Sequence, residues 1–106
     1  ESIHNMEESY NVNALFCLAV AINESASGTA TNAINNNNIF GLVRDKRLIE
    51  FSSIDECIQY WGNLIRYKYI DTGLISLYAI QNKYAPEYTE WTDDIKLINE
   101  VLAKYV

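Results

Sequence analysis

Nine consecutive apolar residues, Ala14 to Ile22, run straight into Asn23-Glu24-Ser25. A helix that is apolar on every side has to be buried, so this segment marks the centre of whatever core the chain builds. It is far short of the ~20 residues that span a bilayer. Its last turn carries a glutamate to the edge of that core. The placement is locally unfavourable, because the C-terminal end of a helix has partial negative charge and prefers cations. Either Glu24 swings into solvent as an ordinary last-turn residue, or it is held at the core's edge for chemistry. A half-buried carboxyl has its charged form disfavoured and keeps a proton toward neutral pH, which is what a general acid requires.

At 106 residues the chain makes one domain. Nearly half of it is apolar and about a fifth charged, 49% and 21%, so it is globular rather than disordered. The net charge of -6 argues against a nucleic-acid partner, which needs a basic footprint, and against docking on anionic membranes. Eight tyrosines and two tryptophans serve a core, and their planes also stack on sugars. Cys17 and Cys57 sit singly in apolar patterns and read as buried free thiols, with a bridge between packed helices as the alternative.

The chain then divides as follows. Residues 1–12 read as a polar lead-in, with room for a helical turn around His4 to Ser9, and residues 13–106 form the domain. A helix is predicted over Asn13 to Glu24, capped by Asn11 or Asn13 and stopped by Gly28. A short helical piece over Thr29 to Ile34 leads to a turn at Asn35 to Asn38. Leu42-Val43 and Leu48-Ile49 flank a charged tip and fit a small β-hairpin, although the tip lacks the Asn-Gly signal. Ser53 and Glu56 have capping-box spacing ahead of a helix with Ile54, Cys57, Ile58, Trp61, Leu64 and Ile65 on one face. A further helix is predicted over Leu74 to Asn82 with Leu74, Leu77, Tyr78 and Ile80 inward, broken by Pro86. The last runs from Thr92 to Tyr105 on a stripe of Trp91, Ile95, Ile98, Leu102 and Tyr105, with Asp93 and Asp94 suiting its positive end. The fold class is mainly α, with one hairpin at most.

The sequence has no Gly-rich phosphate loop, zinc spacing or Cys/His pair, and its only histidine, His4, lies in the lead-in. No metal or cofactor is expected. What remains is carboxylate chemistry, of the kind that protonates the leaving oxygen of a glycosidic bond.

The ordered set Glu24-Ser25, Gly28-Thr29, Ala33 and Asn38-Ile39-Phe40-Gly41 resembles the core motif of bacterial peptidoglycan glucosaminidases, glycoside hydrolase family 73. The likeness continues through Phe51-Ser52-Ser53, Tyr60-Trp61, Lys83-Tyr84-Ala85-Pro86 and Trp91, and so covers nearly the whole chain. That resemblance implies a lysozyme-like α+β fold and an endo-β-N-acetylglucosaminidase of the kind found in autolysins and phage endolysins. Its implied substrate is the glycan strand of peptidoglycan. The place of action would be secreted or wall-associated, with further domains in a longer parent protein. It also implies Glu24 as general acid, Tyr84 as an active-site tyrosine, and Asn38 and Phe40 as the floor of the cleft. Ser25, Tyr60 and Tyr88 are the remaining substrate-contact candidates, while Trp61 and Trp91 read as core. The chain departs from the family in its short hairpin, which in other members is longer and supplies a second carboxylate. Here the candidates for that carboxylate are Asp45 and Glu50. Failing both, the water could be held by Tyr84, or the substrate's own N-acetyl group could take part.

Two other readings compete. A lytic transglycosylase or muramidase shares the helix-ending Glu-Ser but usually follows it with a Gly-Leu-Met-Gln segment, where this chain has Phe40-Gly41-Leu42-Val43. A non-catalytic glycan-binding domain would retain the fold alone.

Overall fold

The computed structural model describes residues 2–25 and 31–104. In chain order these form α1 (Ser2–Tyr10), α2 (Ala14–Ser25), α3 (Thr31–Asn35), β1 (Val43–Arg44), β2 (Arg47–Leu48), α4 (Ile54–Lys68), α5 (Leu77–Tyr84) and α6 (Trp91–Ala103). The architecture is mainly helical with one short hairpin, as predicted. The expected stop at Gly28 and the last stripe residue, Tyr105, lie outside the described residues.

α2 packs against α1 and α6 and buries Cys17, Ala19, Val20 and Ala21. Of its two candidate caps Asn13 is the one used, accepting from the Phe16 N–H at 2.8 Å. The Glu7 carboxylate accepts from the Ala14 N–H at 2.9 Å and satisfies another unpaired donor of that first turn. Asn11 instead ends α1, with a left-handed φ of 53° that asparagine tolerates.

Within residues 1–12, expected as a polar lead-in, Ser2–Tyr10 form the helix α1, docked on α4 with Met6 completely buried. The reason lies in a distant part of the chain. Gly62 of α4 leaves room for Met6, and a Cβ there would stand 2.4 Å from Met6 Cγ. Arg66 then ties down the end of α1, its Nε donating to the Tyr10 carbonyl at 2.7 Å.

α4 buries Cys57, Ile58, Trp61 and Ile65 on the predicted face, but Ile54 at its first turn reaches past the core and is 46% exposed. Ser53 caps it, accepting from the Glu56 N–H at 3.0 Å, while the Glu56 carboxylate reaches Ser52 rather than Ser53. α5 starts three residues later than predicted, because Gly73 (φ 98°) turns the chain and Ser76 supplies the cap. That register turns Leu77, Ile80, Gln81 and Tyr84 toward the body of the protein, and leaves Tyr78, expected inward, 67% exposed.

The hairpin pairs Val43 with Leu48 and Arg44 with Arg47. Asp45 and Lys46 hold φ of 53° and 65°, the primed turn that Asn-Gly would favour. Its base is fixed by Asn38, 1% exposed, whose Nδ2 donates to the Leu42 and Ile49 carbonyls at 2.9 and 3.0 Å. The Asn38 Oδ1 accepts from the Leu42 N–H at 2.9 Å. Both cysteines are buried and free, and burial pushes the Cys17 thiol up to about 12.

Candidate active site

A cleft of about 340 Å³ opens between the end of α2, the Phe40–Val43 strand entry, Leu64 of α4 and the segment that joins α5 to α6. Glu24 lies in it, carried there by the last turn of the buried helix. Trp91 Nε1, at the start of α6, donates to Glu24 Oε1 at 2.9 Å. That bond anchors one carboxyl oxygen and leaves Oε2 without a hydrogen bond among the described residues. Burial raises the Glu24 pKa, and the Trp91 bond opposes this only in part. The carboxyl therefore keeps its proton to higher pH than an exposed glutamate.

The floor is aromatic. Phe40, 2% exposed, stacks on Trp61 with ring centres 4.8 Å apart and planes 10° from parallel. Trp61 Nε1 donates to Tyr84 Oη at 3.1 Å, and the Tyr84 ring lies 5.6 Å from Trp91 and 5.8 Å from Tyr69. A phenol oxygen that accepts from an indole keeps its own O–H to donate. Burial, followed by the nearby Glu24, pushes the Tyr84 pKa well above the usual phenol range, so that proton stays in place.

Tyr88 stands on the rim and is the opposite case. Its hydroxyl donates to Asp94 Oδ2 at 2.5 Å and lies 3.4 Å from Asn23 Oδ1. The hydrogen bond to Asp94 is the main cause that raises its pKa. Its loop is held by Gln81, whose Nε2 donates to the Tyr88 carbonyl at 3.0 Å and whose Oε1 accepts from the Thr92 N–H at 3.1 Å. Tyr84 thus offers the cleft a donor, and Tyr88 an acceptor.

Glu24, Phe40, Tyr84 and Tyr88 are therefore brought together, and the other predicted site residues are not. Asn38 and Ser25 are buried and do not line the cleft; Asn38 holds the hairpin, and the Ser25 hydroxyl donates to the Ala21 carbonyl. Tyr60 packs edge-on against Phe51 at 5.5 Å and lines a separate hollow with Tyr10 and Gln59. Asp45 and Glu50 are exposed and border another hollow along the hairpin. With two residues in each strand, the hairpin is too short to fold an acid over the cleft. Glu24 is the one carboxylate among the described residues lining it.

Sequence reasoning missed the polar roles of Trp91, Asn23 and Asp94, and the place of Tyr69 in the wall. One signal was available. A buried indole N–H needs an acceptor, and Trp91 is completely buried.

No curated protein matched the chain. The family model for glucosaminidases, described as mannosyl-glycoprotein endo-beta-N-acetylglucosaminidase, matches residues 1–104, a span that takes in the cleft and all the helices around it. A match over that length carries more than a motif does, and the chain belongs to the glucosaminidase family of glycoside hydrolases.

Proposed function

We propose that the protein hydrolyses the β-1,4 bond that follows N-acetylglucosamine in the glycan strands of peptidoglycan, with Glu24 as general acid. The observation that carries this reading is the half-buried Glu24 carboxyl, raised in pKa by its burial and tied through Oε1 to Trp91. Glu24 Oε2 carries the proton to the leaving oxygen, and Trp91 stabilises the carboxylate that forms as the proton departs. Tyr84 donates its O–H to an oxygen of the bound sugar, and Phe40 supports the floor beneath it. Glycan strands lie outside the cytoplasmic membrane, so the protein acts as a secreted or wall-associated enzyme, alongside other domains of a longer parent.

Digestion of purified peptidoglycan, followed by borohydride reduction and sugar analysis, tests this. New reducing ends are expected to be N-acetylglucosamine. Muramic-acid ends would indicate a muramidase, and anhydro-muramic ends a lytic transglycosylase. Glu24→Gln should lower the rate at least 100-fold, the lower range for a general acid, while binding to glycan persists. Unchanged turnover in that variant would exclude Glu24 as the acid.

A further inference from the structure

We propose that Asp94 acts through Tyr88 on the attacking water: Tyr88 takes the water's proton as Asp94 takes the proton of Tyr88. The inference rests on Glu24 being the general acid.

Direct attack by water needs a group that takes the water's proton, and the cleft has no second carboxylate among its described residues. Positions 26–30 are Ala-Ser-Gly-Thr-Ala, so none comes from there by sequence. Asp45 and Glu50 stand along the hairpin instead. Asp94, in the first turn of α6, does not line the cleft and is joined to it through Tyr88. A phenol has one proton and acceptor lone pairs. With its proton directed at Asp94, Tyr88 shows the cleft only an acceptor. Because the same bond holds that proton on, Tyr88 is no phenolate base and accepts a proton only by passing its own onward. Tyr88 lines the same cleft as Glu24, and its hydroxyl lies 3.4 Å from Asn23 Oδ1. Its backbone is fixed as well, with the Tyr88 N–H donating to the Ala85 carbonyl and the Trp91 N–H to the Tyr88 carbonyl, both at 3.1 Å.

The step balances. The water oxygen bonds to the anomeric carbon as the bond to the leaving oxygen breaks, and the Glu24 proton goes to that oxygen. One water proton passes to Tyr88 Oη while the Tyr88 proton passes to Asp94 Oδ2. Glu24 ends ionised and Asp94 protonated, and exchange with solvent restores both.

Asp94→Asn is the decisive variant, because an amide oxygen still accepts the Tyr88 hydrogen bond but does not take its proton. The expected result is a kcat about 100-fold lower, in the range of general acid–base catalysis, with KM and melting temperature close to wild type. Tyr88→Phe should lose a similar factor, and the double variant no more than the worse single one, as for two parts of one relay. A wild-type kcat in Asp94→Asn, a loss confined to KM, or losses that multiply in the double variant would each overturn the inference. If the wild-type protein releases no sugar, or Glu24→Gln stays active, both readings fall. If the enzyme is active and depends on Glu24 but is indifferent to Asp94→Asn, this one alone falls.

Discussion

Replacing Trp91 with phenylalanine separates the electrostatic role of the indole from its packing. The ring between Phe16 and Tyr84 remains aromatic, but the donor to Glu24 Oε1 is lost. A hydrogen bond to a charged group contributes roughly 1.5–3 kcal/mol. Glu24 is only half-buried and solvent screens part of its charge, so about 1–2 kcal/mol of this acts on the carboxylate. The carboxylate develops as the proton leaves, so the barrier should rise by the same amount, and kcat should fall roughly 5–30-fold. Trp91 does not line the cleft, so KM should stay within about twofold of wild type. Loss of a donor to the charged form raises the Glu24 pKa further, and the alkaline limb of the kcat profile should move to higher pH. The smaller ring also leaves a void in a completely buried site, at a cost of about 1–3 kcal/mol, so rates are best taken well below the melting transition. The assay is kcat and KM on soluble peptidoglycan fragments across pH. An alkaline limb that stays still or moves down would refute the reasoning, as would an unchanged kcat.

Glu24→Gln should also affect stability. The folded protein disfavours the ionised carboxyl, so the wild type loses stability as pH rises from the ordinary value of 4.5 through the raised one. The glutamine does not titrate. Melting curves of the two proteins should be level at acid pH, with the variant melting higher above neutrality; a variant that melts lower at alkaline pH would contradict the burial argument. Asn38→Ala leaves two buried carbonyls and an N–H without their side-chain partner, at a cost of about 2–4 kcal/mol. Its melting temperature should drop by on the order of 10 °C, measured by circular dichroism, and a drop under about 2 °C would show that water replaces the bracket.

Several elements were legible because their causes are local. Asn13 and Ser53 cap helices through bonds to N–H groups three residues away, and Pro86 stands two residues past the end of α5. The apolar stripe of α4 predicts its buried face apart from Ile54, which lies beyond the core's edge. Where prediction failed, the deciding partner lay far along the chain. α1 reads as polar, since one buried methionine makes no stripe, and its docking depends on Gly62 and Arg66. The start of α5 depended on which of two adjacent signals, Gly73 or Ser76, set the register, and that choice sent Tyr78 outward.

The candidate site divides along the same line. By itself the sequence determined that a wholly apolar helix ends in an acid, that the family motif follows in order, and that the hairpin is short. Helix periodicity, capping and spacing act within a few residues, so these features survive reading in one dimension. Only the tertiary structure decided that Trp91 grips Glu24, that Asp45 and Glu50 stay away from the cleft, and that Asp94 stands behind Tyr88. The grip of Trp91 on Glu24 depends on how α2 and α6 cross. A hydrogen bond between residues 67 apart in the chain leaves no periodic trace in either helix.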